Sequence, residues 1–239
     1  MNTDTEENRK AQLVKRRKEQ ILAAASRIFA QNGFRRTKIE EIADYLTVGK
    51  GTLYKYFKDK KSLFLAVFEQ GISRLRQAIG TKVEPITDPP QKIAAAVRTY
   101  FEFFDNNREL IEIMMQVRSE FKDDYRRIFL AIYGDYIVKI QENLRNGIKS
   151  GIFRQLDVEK TAEAISATLQ GVLQSFYVRQ FGPETPIVDA EKSVSVDSDY
   201  LKDNKAARRP PQQRELLADR ADAVTKLLLQ GLFIEKNDD

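Results

Sequence analysis

Apolar residues recur at intervals of three and four through almost the whole of this chain, and no stretch of strict alternation is long enough for a sheet strand. That periodicity predicts an all-α fold. The first amphipathic stretch carries Ile21, Ala25, Ile28 and Phe29 and stops at Asn32-Gly33, where glycine can close a helix. Thr37 is expected to cap a second, short helix, with Glu40 completing a capping box and Ile39, Ile42, Ala43 and Leu46 as its apolar face. A turn through Thr47-Val48-Gly49 leads to a third helix, Lys50 to Phe57, with Leu53 and Phe57 one turn apart. Three short helices joined by tight turns fit a helix-turn-helix unit.

Longer helices follow. Asp59 should cap one reaching about Ile79, and Asp88-Pro89 should start another that ends near Asn106. A short segment, Leu110 to Phe121, precedes a long helix from about Asp123 to Lys149 that Gly151 ends. Asp157 should cap a helix through Ile165, Leu169, Val172 and Phe176, and the last helix should span about Arg214 to Ile234. Between these two, residues 182–213 are polar and proline-marked, which reads as a long loop.

Charge is distributed unevenly. Residues 1–61 hold 15 Lys and Arg against 8 Asp and Glu, a surplus of seven, whereas residues 62–239 hold 25 against 27. Duplex DNA attracts such a patch through counterion release, so the basic surplus points to the first quarter of the chain. Cysteine and histidine are both absent, which removes the usual zinc ligands and the commonest general base. No nucleophile-elbow or phosphate-loop motif appears. An enzyme is therefore not expected, and no catalytic residue, metal or cofactor is assigned. No apolar run approaches the roughly 18 residues of a membrane span, and Met1 to Lys10 lacks the apolar stretch of a secretory signal. The expected location is the cytoplasm.

The stretch Thr37 to Leu63 closely resembles the signature of the tetracycline-repressor (TetR/AcrR) family, most specifically in Gly51-Thr52-Leu53-Tyr54-Lys55-Tyr56-Phe57 followed by Lys60. Gly151-Ile152-Phe153 to Asp157, with a following helix that contains Gly171, looks like the family's penultimate helix. The resemblance implies a DNA-binding helix-turn-helix domain over residues 1–61 with a basic N-terminal arm. It implies a helical bundle over residues 62–239 that binds a ligand and forms a homodimer through its last two long helices.

The residues suit that role chemically. Lys50 and Thr52 occupy the start of the recognition helix, where side chains reach base edges, and Gly51 permits close backbone approach. Tyr54 and Tyr56 can present hydroxyls to phosphates, or pack the small domain. Lys55 and Lys60 add charge, and Thr37 and the helix start near Lys60 can donate to phosphates. The arm Arg9 to Lys18, Arg16 and Arg17 included, has six basic residues and no acid. It either tracks DNA, in the minor groove or along the backbone, or is a solvated tail. Two residues depart from the family pattern: Thr47 stands where glycine is usual and Gly49 where serine is usual. A β-branched residue resists positive φ, so the turn either relaxes or stores modest strain.

For the ligand, Tyr100, Phe104, Met114, Phe121, Tyr125, Phe129 and Phe176 suit an apolar or amphipathic molecule, although such residues at helical spacing are more often core. Arg118 can meet an acidic headgroup or snorkel at the surface. The function expected is a ligand-responsive repressor that binds a palindromic DNA operator as a dimer and is released by a small apolar or amphipathic effector. A helical scaffold with a basic end for acidic partners is the alternative. It explains the charge asymmetry but not the spacing of turn and recognition helix.

Overall fold

The computed structural model describes residues 3–181 and 216–233. It is all-α: α1 (Thr3–Asn32), α2 (Ile39–Tyr45), α3 (Lys50–Tyr54), α4 (Lys60–Val83), α5 (Pro89–Asn106), α6 (Arg108–Glu120), α7 (Lys122–Lys149), α8 (Val158–Phe181) and α9 (Ala221–Leu232), with a 3-10 turn (Ala218–Arg220) leading into α9. No strand occurs among the described residues, and the single β-bridge joins Phe153 to Phe233. The loop expected at 182–213 lies outside the described residues.

Two compact units emerge, one from Met1–Pro85 and Asn106–Val138, the other from Ile86–Asp105 and Lys139–Asp239. The first reaches beyond residue 61 because α1, α4 and α6 pack on one another. Its core joins Ile21, Ala25 and Phe29 of α1 to Ile42, Leu53, Leu63, Phe64 and Phe68, all buried. Phe29 and Phe64 meet edge to face at 4.9 Å, the arrangement aromatic quadrupoles favour. The second unit buries Val97, Phe101 and Phe104 of α5, Leu144 of α7, and Leu169, Leu173 and Phe176 of α8.

Three helix starts, those of α4, α5 and α8, lie where their side chains dictate. Asp59 accepts from the Ser62 amide at 2.7 Å while the Ser62 hydroxyl receives the Asp59 amide at 3.0 Å, a complete capping box. This contact with the Ser62 amide, above all, holds the Asp59 carboxyl below its ordinary pKa. Asp88 and Asp157 cap in the same way, through the amides of Gln91 and Lys160.

Three expectations need correction. The second helix has Lys38, not Thr37, at its N-cap and no side-chain cap. Thr37 is buried instead, and its hydroxyl donates to the Gly33 carbonyl at 2.8 Å. Turning inward there satisfies a backbone acceptor left over at the end of α1. The basic arm is not a separate segment, because Arg9 to Lys18 continue α1 as one exposed helix. A helix roughly 10–12 Å wide cannot enter a minor groove about 6 Å wide. The short segment Leu110 to Phe121 falls in α6, Arg108–Glu120, with Phe121 as its C-cap. The last helix begins at Ala221 rather than 214. Its approach is fixed by Asp105 of α5, whose carboxylate accepts from the amides of Leu217 and Ala218 at 3.0 and 2.8 Å.

Candidate nucleic-acid interface and ligand residues

The α2–turn–α3 segment keeps its apolar side inward, with Ile42, Ala43, Leu53 and Phe57 buried. Leu53 and Phe57 are one turn apart, so burying both turns the rest of α3 outward. Lys50, Gly51 and Lys55 are exposed, Tyr54 is about half exposed, and Thr52 and Tyr56 are half-buried. Lys50, Thr52 and Tyr54 carry hydrogen-bond donors on α3 itself, a helix short enough for a major groove, and Lys55 and Tyr56 follow it.

Lys50 is lightly tethered. Its ammonium lies 3.3 Å from Glu40 in the first turn of α2. The Glu40 carboxyl sits below its ordinary pKa, chiefly through its own backbone amide and then through Lys50. Both side chains are more than half exposed, so solvent screens the pair and Lys50 can exchange it for another acceptor at small cost. Arg16 and Arg17 lie exposed on α1, where Arg17 reaches Gln20 at 3.3 Å. Lys18 lies 5.7 Å from the centre of the Phe57 ring and links α1 to the end of the recognition segment.

Two other candidates are committed inside the protein. Lys60 donates to the carbonyls of Phe34 and Thr37, both at 2.9 Å, and of Arg35 at 3.3 Å, and it lies 4.5 Å from the Phe34 ring centre. It is a clip on the α1–α2 turn rather than a free phosphate ligand. Thr37 has both its amide and its hydroxyl on the Gly33 carbonyl, which leaves neither donor for a phosphate. Thr47 adopts φ +54°, the only positive φ at a residue other than glycine among the described residues. The backbone thus keeps the left-handed turn and holds a β-branched residue in it, at a cost of about 1–2 kcal/mol.

The residues missed by the sequence reading bridge α6–α7 to this segment. Gln116 accepts from the Phe34 amide at 2.8 Å and donates to the Phe29 carbonyl at 3.3 Å. Glu120 pairs with Arg35 at 2.8 Å and Asp124 with Lys61 at 2.7 Å. The Lys61 contact is the main reason the Asp124 carboxyl lies below its ordinary pKa.

The candidate ligand residues fall into two groups. In the first unit Met114, Phe121, Tyr125 and Phe129 are half-buried and Arg118 is exposed. Phe121 packs on Phe34 at 4.8 Å, and Tyr125 stacks on Phe129 at 5.6 Å and on Phe68 at 6.1 Å. Burial raises the Tyr125 pKa, partly offset by Arg118. In the second unit Tyr100 and Phe104 meet at 5.0 Å, and Phe176 is buried beneath the Arg220 guanidinium. A groove of about 620 Å³ in the first unit involves none of these residues; Arg17, Arg27, Tyr45 and Arg74 line it instead. No helix among the described residues is long and apolar enough to cross a membrane.

Residues 21–67 match the model of bacterial regulatory proteins of the tetR family, and residues 87–176 match a tetracyclin repressor-like C-terminal domain. Together the two matches span more than half of the chain. The HTH-type transcriptional regulator YhgD of Bacillus subtilis is 28% identical over 61% of this chain and 76% of its own length. The HTH-type transcriptional activator FasR of Mycolicibacterium smegmatis is 31% identical, but the chain spans only about half of it, 47%. In fold the chain is similar to the regulator FadR of Bacillus subtilis, solved with stearoyl-CoA, with a TM-score of 0.67, 20% identity, and coverage of 89% of this chain and 98% of that one. A regulator from Saccharomonospora viridis, solved with choline, gives a TM-score of 0.69 at 16% identity, covering 92% and 100%.

Proposed function

Because this chain belongs to the tetR family of bacterial regulatory proteins and is a DNA-binding transcriptional regulator, we propose that it represses transcription as a homodimer on a palindromic operator and is released by a small amphipathic effector. The observation that carries this reading is the outward display of Lys50, Tyr54 and Lys55 from a recognition helix anchored by buried Leu53 and Phe57. Lys50 donates to a base edge in the major groove, with Thr52 beside it, while Lys55, Tyr54 and Tyr56 hold the phosphates. Arg16 and Arg17 add charge along the backbone from the side of α1.

A dimer through α8 and α9 is supported by Val178 and Leu227, large apolar side chains left more than half exposed on those helices. Two-fold symmetry of the protein then requires a two-fold operator. The effector class is supported by the aromatic groups around Tyr100 and Phe104 and around Tyr125 and Phe129, and by the acyl-CoA held by the FadR structure of similar fold. To move an operator from mostly occupied to mostly free, the effector must favour the released state by roughly 10⁴-fold.

A mobility shift with duplex from the chain's own upstream region tests the reading. Specific binding whose log K falls linearly with log salt is expected, with release on adding stearoyl-CoA. Binding to acidic protein surfaces with no preference among duplex sequences would favour a scaffold instead. Transcription that rises with the bound regulator would make the chain an activator, as FasR is named.

A further inference from the structure

The turn that joins α2 to α3 holds two residues opposite to what its backbone asks for. At position 47 the chain passes through φ +54°, the region where glycine is the least strained choice, yet the residue is threonine. At position 49 the N-cap of α3 is extended, φ −69° and ψ 145°, where serine, threonine, aspartate or asparagine would cap the helix, yet the residue is glycine and no side chain caps it. Exchanging the two side-chain types would improve both positions, so local folding does not account for this order. Departures from local consistency of this kind concentrate where a side chain has an intermolecular use.

Thr47 has no such use inside the protein. It is exposed, and its hydroxyl has no hydrogen-bond partner among the described residues. Its amide is already bonded to the Asp44 carbonyl at 3.0 Å, and the next amide, of Val48, to Ala43 at 3.0 Å, so the turn is held by backbone contacts that any residue would make. A Cβ built at Gly49 meets nothing within 4 Å, so packing does not require the glycine there either. Three residues on, Lys50 presents its ammonium to solvent. We infer that Thr47 is a direct DNA contact, its hydroxyl donating to an operator phosphate next to the start of the recognition helix. A hydroxyl carries no charge, so this contact adds affinity without releasing a counterion.

This inference rests on the DNA-binding reading above and is tested on the full chain by fluorescence anisotropy, with duplex from its own upstream region as the probe. Thr47→Gly relieves the turn, and its melting temperature should rise by roughly 2–4 °C. Its operator affinity should nevertheless fall by about tenfold, the scale of one hydrogen bond to a charged group. Thr47→Val keeps the β-branch and removes only the hydroxyl. It should lose affinity to the same extent without the gain in melting temperature, and Thr47→Ser should keep parental affinity. The slope of log K against log salt should be that of the parent in all three. Parental affinity in either Thr47→Gly or Thr47→Val would overturn the inference and leave DNA binding intact. A parent chain with no duplex affinity would overturn both.

Discussion

Lys60 donates its ammonium to the Thr37 carbonyl at 2.9 Å, so the first residue of α4 holds the turn from which α2 starts. The same ammonium takes the carbonyls of Phe34 and Arg35, so one cation closes the α1–α2 turn at three points. Lys60→Ala should lower unfolding stability by about 2 kcal/mol, because it strands acceptors that a cation had satisfied. Denaturant unfolding measures the loss. Stability equal to the parent's, with DNA affinity alone reduced, would return Lys60 to the role of a phosphate ligand.

Lys50 should behave in the opposite way. Its one partner among the described residues is an exposed carboxylate, so Lys50→Ala should leave unfolding nearly unchanged. Base preference at one position of each half-site should relax by ~1–3 kcal/mol. Competition binding with single-base operator variants reads this directly. Glu40→Gln should strengthen binding modestly, since it frees Lys50 and removes the negative charge beside it.

Gln116 makes a third prediction, on α6. Its amide meets one donor and one acceptor of the α1–α2 region, more than 80 residues away in sequence. Gln116→Leu leaves the Phe34 amide unpaired in a part-buried place and should cost about 1–3 kcal/mol. Hydrogen exchange at the Phe34 amide should quicken in this variant. Unchanged protection there would mean that the contact adds nothing to the turn.

Gly71 and Leu110 give a fourth. A Cβ on Gly71 would fall on the Leu110 side chain, itself buried at the crossing of α4 and α6. Gly71→Ala should destabilise by roughly 1–3 kcal/mol through overpacking. Combined with Leu110→Ala, its effect should shrink or change sign, giving a coupling energy in a double-mutant cycle. Additive losses would show that Leu110 turns aside freely.

The Asp59 cap sets a pH dependence. Its carboxyl is held below the ordinary value of 3.8, so the charged form is favoured in the folded state. The stability it adds is fully present above about pH 4–5 and is lost as pH falls through the lower folded value. Asp59→Ala should flatten that part of the acid limb and cost about 1 kcal/mol at neutral pH. An acid limb identical to the parent's would place the titrating groups elsewhere.

Features that depend on neighbours along the chain can be read before it folds. Apolar spacing sets the helices, and the caps at Asp59, Asp88 and Asp157 act over three residues, so their starts were legible. Thr47 was legible as a misfit for the same reason, since the turn needs positive φ whatever surrounds it. The tertiary structure decided which polar groups remain available to a partner. Thr37 reads as a cap until the end of α1 supplies a carbonyl for its hydroxyl. Lys60 reads as a phosphate ligand until three carbonyls from residues 23 to 26 positions earlier converge on it. Gln116 carries no signal in the sequence at all, because its partners are brought to it only when α1 and α6 pack together. A polar side chain within reach of both a solvated partner and a buried one takes the buried one, where an unmet backbone group costs more, and only the packed chain reveals where such groups lie.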